Sequence, residues 1–244
     1  MPHFFIKSVN INDSRIIIDD AENYNHIVKS LRAKEGEELL LIDENEIEYK
    51  TVIKSIIDKK IVADIITSEK SNRDLPYNLY LAQSPLRSDA QLTIMEKATE
   101  LGVRGIYPIY TDNCALKKTV AIQKVEKWQK IMYEASKQCE RANIPTCYEL
   151  TDLNTVLNNG KFDRVIVLCE RNTNGSLKDY LRNNSVKDNE NILLIIGPEG
   201  GFSPKEFELF RTKNLPMLSL GNLILKAETA VIVTLGNVVY EFGE

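Results

Sequence analysis

The sequence contains few residues that could bind a metal ion. Among 244 residues there are two histidines, His3 and His26, and four scattered cysteines, of which no two have C-x-x-C spacing. A zinc site needs a convergent cluster of such ligands. We therefore expect no metal, and we interpret the cysteines as buried free thiols.

Long apolar runs are equally scarce. The most apolar one, Ile192–Ile196, is far too short to cross a bilayer. The N-terminus has neither the charged start nor the apolar stretch of a signal peptide. We therefore expect a cytoplasmic protein without a membrane partner. The composition, 43% hydrophobic and 27% charged, is typical of a globular chain with one large domain or two modest ones.

A net positive charge is absent as well. The formal charge of -4 argues weakly against a nucleic-acid partner, because phosphates are neutralised by basic residues. The distribution of charge matters more than its sum. Residues 117–141 contain seven lysines and arginines against three glutamates. This segment is either an RNA-facing surface or the solvated face of a helix.

The first seventy residues are predicted to be mostly strand. A short helix comes first, with Ile27, Val28 and Leu31 on one face and Gly36 to end it. Closely spaced strands with one helix favour a small β-barrel domain. A polar stretch then places the domain boundary between residues 1–72 and 73–244. The predicted strands, rich in Ile, Leu and Val, are Glu37–Ile42, Glu46–Ile53 and Lys60–Thr67.

The rest of the chain alternates strand and helix, which predicts an α/β domain with a parallel sheet. Apolar residues at helical spacing predict helices near 92–101 and near 122–132 and a final helix at 227–242. The final helix is apolar around nearly its whole circumference, which favours cover on two sides. The predicted strands are Leu79–Ala82, Val103–Tyr110, Arg164–Cys169 and Ile192–Ile196.

The most informative segment follows the last of these strands. A glycine loop, Gly197-Pro198-Glu199-Gly200-Gly201, leads directly into a helix with Ser203 as N-cap, Pro204 in the first position and Glu206 completing a capping box. The loop either binds a ligand or makes a tight βα turn. It is neither a Walker loop nor G-x-G-x-x-G, which favours a neutral or cationic nucleoside over a polyphosphate or dinucleotide.

A second loop, residues 220–226, joins an apolar strand to the final helix. Glu228 stands early in that helix, where the helix dipole favours a carboxylate. By itself this loop would be interpreted as another βα connection.

Together the two loops resemble the SPOUT methyltransferase superfamily. The strings are G-P-E-G-G-F-S-x-x-E from Gly197 and L-G-x-x-I-L-x-x-E-T-A from Leu220. Within the superfamily, the match is to the bacterial family that methylates N3 of one uridine in small-subunit ribosomal RNA. The W-Q-K-I string from Trp128 and His26-Ile27-x-x-x-Leu31-Arg32 also agree with that family.

The resemblance implies a PUA-like β-barrel at residues 1–72 and an α/β domain with a deep trefoil knot at 73–244. It also implies a homodimer that acts on ribosomal RNA or the small ribosomal subunit. S-adenosylmethionine (SAM) would bind in the knot. The cofactor-binding residues would be Leu168, Glu170, Gly197, Pro198, Glu199, Gly200, Gly201, Leu220, Gly221, Asn222, Leu225, Thr229 and Ala230.

The resemblance further implies residues for catalysis and RNA binding. Lys226, Glu228 and, from a second subunit, Arg141 would lie near the methyl group. The RNA-binding residues would be Arg32, Arg87, Lys117 and Lys118.

The chain departs from the family at cationic positions. Leu223 and Lys226 replace two arginines of the second motif, and Asn113 stands where an arginine is typical. Lysine does not reproduce the bidentate phosphate contacts of arginine. Two alternatives to the ribosomal RNA enzyme therefore stay open. One is a non-catalytic RNA-binding or assembly factor with this fold, and the other is a SPOUT enzyme with another target, such as transfer RNA.

Overall fold

The computed structural model describes residues 3–243 and divides into two compact units. The first unit comprises the chain up to Asp74 together with Lys137–Asn143. The second comprises Leu75–Ser136 and the chain from Ile144 onward. A segment from the middle of the chain therefore completes the first unit.

A six-stranded sheet forms the first unit, in the order β1-β4-β5-β6-β3-β2. Its pairs are antiparallel except for the parallel pair β1–β4. Alternate residues of the strands, such as Leu39 and Leu41 or Ile16 and Ile18, point into one apolar core. The strands are β1 His3–Phe5, β2 Ile11–Asn12, β3 Arg15–Ile18, β4 Glu38–Ile42, β5 Ile47–Ile57 and β6 Lys60–Lys70.

One short helical segment covers this core. Helix α1, Ala21–Tyr24, begins where the Asp20 carboxylate accepts a hydrogen bond from the Asn23 amide at 2.8 Å, and a π-helical turn continues it over Asn25–Ser30. The prediction that Gly36 ends the helix was wrong. The helix ends at Ser30, and Gly36 takes its positive φ in the loop that leads to β4.

Ion pairs attach the segment Lys137–Asn143, which we call the returning segment, to the rest of the first unit. The Arg141 guanidinium contacts the Asp74 carboxylate at 2.8 Å with little exposure of either side chain, and Arg73 bridges Glu48 and Glu140. Lys137 pairs likewise with a carboxylate of α1. Two of the seven cations in the basic segment 117–141 are therefore occupied within the first unit.

His3 is buried in the first unit, close to the charged side chains of Glu140, Arg73, Glu48 and Lys137. Its side chain is 5% exposed, and neither ring nitrogen has a hydrogen-bond partner among residues 3–243. Burial lowers the pKa of His3 below its ordinary value of 6.5, against the opposing effect of Glu140. The unfolded chain therefore binds a proton more readily than the folded one does.

We expect His3 to make the protein less stable in mild acid. Stability should be fully present above the ordinary pKa of about 6.5 and decline as the pH falls below it, because protons favour the unfolded state. His3→Phe keeps a ring in place and removes this dependence. Thermal melts of both proteins at pH 7.5 and pH 5.5 measure the effect. Equal losses of melting temperature in the two proteins would contradict it.

The second unit contains a seven-stranded sheet, in the order β11-β13-β10-β12-β7-β8-β9, in which every pair is parallel. The strands are β7 Asn78–Gln83, β8 Gly105–Pro108, β9 Thr146–Cys147, β10 Arg164–Leu168, β11 Gly175–Ser176, β12 Asn191–Ile196 and β13 Met217–Ser219. The helices are α2 Ser88–Glu100, α3 Lys118–Gln138, α4 Leu153–Leu157, α5 Leu177–Arg182, α6 Pro204–Thr212 and α7 Ala227–Phe242. The predicted parallel α/β architecture is confirmed.

Helices cover both faces of this sheet. Side chains alternate along the strands, so Leu79 and Leu81 of β7 join one core while Tyr80 and Ala82 join the other. The first core packs against α2, α3, α5 and α7, and the second against α4 and α6. Continuous apolar strands therefore fit a sheet that is buried on both sides. The trefoil knot stays a prediction.

Helix α7 is buried along one side only. Val231, Leu235 and Val238 are fully buried in the chain's own core, whereas Tyr240 is 87% exposed. The apolar residues of this helix therefore have two different roles, and Val231 serves the fold of the unit. None of the helices within residues 3–243 has the length and apolarity that a membrane span requires.

Candidate cofactor-binding site

A cavity of about 500 Å³ opens in the second unit beyond the carboxyl ends of β10, β12 and β13. Three chain segments form most of its wall: residues 168–170, 196–202 and 220–228. Ala90 of α2 and Ala230 of α7 complete it. Ligands of open parallel sheets bind at this edge, because the loops that follow neighbouring strands converge there.

The cavity wall contains most of the residues that the sequence predicted for a cofactor. Lys226 and Glu228, predicted near the methyl group, also line it. Three of the predicted cofactor-binding residues, Gly200, Asn222 and Thr229, do not line the cavity. Those that line it are Leu168, Glu170, Gly197, Pro198, Glu199, Gly201, Leu220, Gly221, Leu225 and Ala230.

The sequence did not single out seven further lining residues, although Cys169 lies in the loop 168–170 and Leu223 and Ile224 in the loop 220–226 that it indicated for the cofactor. Cys169 and Ile196 end predicted strands, so the position of their strands could have indicated them. Ala90 carries no such signal, because it comes from a helix far away in the sequence. The others are Phe202, Leu223, Ile224 and Ala227.

The glycine loop, residues 197–201, is supported by neighbouring side chains. The Asn113 amide donates hydrogen bonds to the carbonyl oxygens of Gly200 and Gly201 at 3.2 and 3.1 Å. Behind the loop, Ser203 and Glu206 form the predicted capping box, with Pro204 at the start of α6. Backbone that would otherwise be free to move is thereby fixed on both sides.

Gly200 has a different role from the one expected. A Cβ atom added there would lie 3.1 Å from the Cβ of Asn113, so the residue faces the supporting loop and not the cavity. Gly201, with φ +66°, does line the cavity, and its added Cβ would lie 3.5 Å from a Glu170 carboxylate oxygen. The glycine requirement at Gly200 is therefore one of packing against Asn113.

Charge in the cavity wall is mostly negative. Glu170, Glu199 and Glu228 line it together with one cation, Lys226. Glu228 stands in the first turn of α7, where the helix dipole favours a carboxylate. Burial, together with Glu170, raises the pKa of the Cys169 thiol to about 11, which keeps it protonated at neutral pH.

The predicted RNA-binding residues lie at exposed positions of both units. In the second unit, Arg87 precedes α2, and Lys117 and Lys118 stand at the start of α3. Arg32 is an exposed residue of the first unit with φ +57°. Arg141 is buried in the first unit in its ion pair with Asp74. The roles predicted for all these residues stay predictions.

Residues 3–243 contain no group of three or more histidine, cysteine and acidic side chains that could hold a metal ion. The fold and the cavity instead define an α/β protein that binds a small organic ligand at the carboxyl edge of a parallel sheet.

The chain belongs to an RNA methyltransferase family. Residues 73–239 match the family model of the RNA methyltransferase domain, and residues 18–66 match that of the RNA methyltransferase PUA domain. The family resemblance found in the sequence is thereby confirmed.

Individual relatives agree with this assignment. The chain is 28% identical over 225 residues to the ribosomal RNA small subunit methyltransferase E of Bacillus subtilis, which covers 90% of this chain and 88% of the relative. It is 29% identical to the enzyme of the same name from Rickettsia conorii, covering 88% and 95%. A Legionella pneumophila protein solved in complex with its bound cofactor SAM is 27% identical, with a TM-score of 0.84 and coverage of 100% and 98%.

Proposed function

We propose that this protein is a SAM-dependent methyltransferase that modifies N3 of a uridine in small-subunit ribosomal RNA. The observation that carries the proposal is the cavity built from the glycine loop and residues 220–226. Two relatives that align over 88% and 95% of their own length are named as small-subunit ribosomal RNA methyltransferases. A structural neighbour with 27% identity was solved with SAM.

The cavity fits SAM in size and chemistry. A volume of about 500 Å³ lies in the range of small-molecule sites, which is roughly 300–1,000 Å³. Apolar side chains such as Leu168 and Leu225 can contact an adenine ring, and loop backbone can satisfy its polar edge. The carboxylates suit the positive charge of a sulfonium ligand. The wall thus offers the apolar surface, the backbone polar groups and the negative charge that a cationic nucleoside requires.

When bound, SAM supplies a methyl group that its sulfonium already activates. The protein then has to hold the acceptor nitrogen in line with that methyl group and exclude competing water. We propose that Lys226 and Glu228 orient polar groups near the methyl group. A paired or stacked uridine would first have to be displaced into the site. The first unit, matching a PUA domain, would contribute RNA contacts, Arg32 among them.

Two measurements test the function. Calorimetry should show that the purified protein binds SAM, and mass spectrometry of ribosomal RNA nucleosides should show that 3-methyluridine is lost in cells without the protein. SAM binding with unchanged ribosomal RNA would favour another RNA target. Absence of SAM binding would favour the non-catalytic RNA-binding factor, which the exposed Leu223 in place of an arginine also motivates.

We also propose that the working unit is a homodimer built by the outer face of α7. This face consists of Ile232, Val233, Gly236 and Tyr240, which are half-buried or exposed in one chain. Val233→Glu should convert a dimer to a monomer of 27.8 kDa in light scattering. Val231→Glu would instead place a charge in the core and unfold the protein. A wild-type chain that is an active monomer at micromolar concentration would contradict the proposal.

Asn113 offers a test of how the glycine loop is supported. Asn113→Ala removes two hydrogen bonds to the carbonyl oxygens of Gly200 and Gly201. We expect SAM affinity to fall at least about five-fold, since two bonds of about 0.5–1.5 kcal/mol each contribute at least about 1 kcal/mol together. Asn154→Ala is the matched control, because Asn154 is an exposed residue of α4 that does not line the cavity. Equal calorimetric affinities for the two variants would show that Asn113 does not support the loop.

A further inference from the structure

The charged side chains of the cavity converge from separate parts of the fold. Glu170 follows β10, Glu199 lies in the glycine loop after β12, and Glu228 stands in the first turn of α7. The cation among them, Lys226, leaves the wall with a formal charge of minus two. Among residues 3–243 the structure records no ion pair or side-chain hydrogen bond to any of these four groups. These four groups line the cavity and are available to interact with a ligand that fills it.

Leu223 adds no cation to a cavity wall that has three carboxylates and one lysine. It lines the cavity and is 80% exposed, at the position where the resembling motif has an arginine. An arginine there would bring a second cation to the wall, whereas leucine leaves the carboxylates in excess. Glu199 and Glu228 belong to the two motifs, whereas Leu223 is the departure that leaves their charge without a second cation.

We propose that the acidic wall makes the site selective for the sulfonium cofactor over its thioether product. This inference rests on the proposed function. In methyl transfer the carbon leaves sulfur without the electron pair of the S–C bond, so S-adenosylhomocysteine has one positive charge fewer than SAM. The favourable interaction with the three carboxylates is lost in the same step. Glu170, Glu199 and Glu228 therefore favour cofactor binding and product release.

Coulomb's law gives the expected ratio of SAM affinity to S-adenosylhomocysteine affinity. One charge pair separated by about 8 Å changes affinity by about two-fold in a water-like dielectric and by about thirty-fold at an effective dielectric near 20. Glu170 and Glu199 are exposed and Glu228 is half-buried, which places the wall between these limits. We expect SAM to bind roughly ten-fold more tightly than S-adenosylhomocysteine at low salt. Because exposed charges are screened, 0.5 M NaCl should reduce this ratio to about two or three.

Calorimetry with both ligands tests the proposal. Glu170→Gln, Glu199→Gln and Glu228→Gln should each lower the ratio of SAM affinity to product affinity by about two- to four-fold while changing product affinity by less than about two-fold. The matched control is Glu241→Gln, an exposed carboxylate of α7 that does not line the cavity. Leu223→Arg, which adds a cation to the wall, should lower the ratio in the same way.

The outcomes separate this proposal from the proposed function. If both ligands bind and neither salt nor the glutamine variants change their ratio, the charge selectivity is refuted and the methyltransferase function stands. If a variant weakens both ligands equally, that carboxylate contacts a shared part of the ligand and does not discriminate between them. If the wild-type protein binds neither ligand, the proposed function itself fails.

Discussion

Ala230→Phe is expected to lower SAM affinity by at least about 100-fold, which corresponds to about 2.7 kcal/mol. Ala230 lines the cavity from the first turns of α7, so the added ring would occupy space that the ligand needs. Ala230 lies inside a regular helix, where phenylalanine is tolerated without backbone strain. Because Ala230 also packs against the core of the second unit, thermal melting of the variant should accompany calorimetry and separate a loss in the cavity from a loss of the fold.

Two further variants sharpen this experiment. Ala230→Ser keeps the space open and should bind SAM almost as well as the wild type. Thr229→Phe adds the same ring at the neighbouring residue, which the sequence predicted to contact the cofactor but which does not line the cavity. We expect Thr229→Phe to retain binding. A folded Ala230→Phe protein with wild-type affinity in calorimetry would show that SAM binds elsewhere.

Arg141→Met is expected to destabilise the first unit by about 3–5 kcal/mol, because it leaves the Asp74 carboxylate, whose side chain is only 11% exposed, without its cation. The pair joins the returning segment Lys137–Asn143 to residue 74, where the first part of the unit ends. Asp74 also accepts a hydrogen bond from the Asn143 backbone amide at 3.2 Å. Removal of the guanidinium should therefore loosen the whole segment.

The double variant Arg141→Met with Asp74→Leu separates structure from catalysis. Removing both charges should restore more than half of the lost stability, as measured by urea unfolding. We expect this variant to retain SAM affinity, because Arg141 does not line the cavity. If it folds and binds SAM but no longer methylates RNA, the catalytic role predicted for Arg141 is supported. A single variant as stable as the wild type would contradict the ion-pair account.

Local sequence patterns predicted the parallel α/β unit and the loops of its site. Apolar runs such as Ile192–Ile196 predict strands that are buried on both faces. The start of α6 is specified within four residues by Ser203, Pro204 and Glu206. The chemistry at such positions depends on neighbours in the sequence. The two loops could therefore be identified before their separation in space was known.

Local sequence patterns did not predict contacts between segments that are far apart in the chain. Gly200 had the same signal as Gly201, but only the fold shows that Gly200 faces Asn113 while Gly201 faces the cavity. In the same way, the apolar residues of α7 did not reveal which of them pack in the chain's own core. The sequence specified a hydrophobic helix. Only its packing against the sheet shows that Val231 is buried and Tyr240 exposed.

The sequence by itself determined the class of the protein, because glycines, caps and apolar periodicity act over a few residues and leave a readable pattern. The tertiary structure decided what each charged side chain does. Arg141 and Lys226 are both cations at the ends of motifs, but one is paired with Asp74 in the first unit and the other lines the cavity. The free energy of a charge depends on its burial and on partners that are far away in the chain, and only folding brings those partners together.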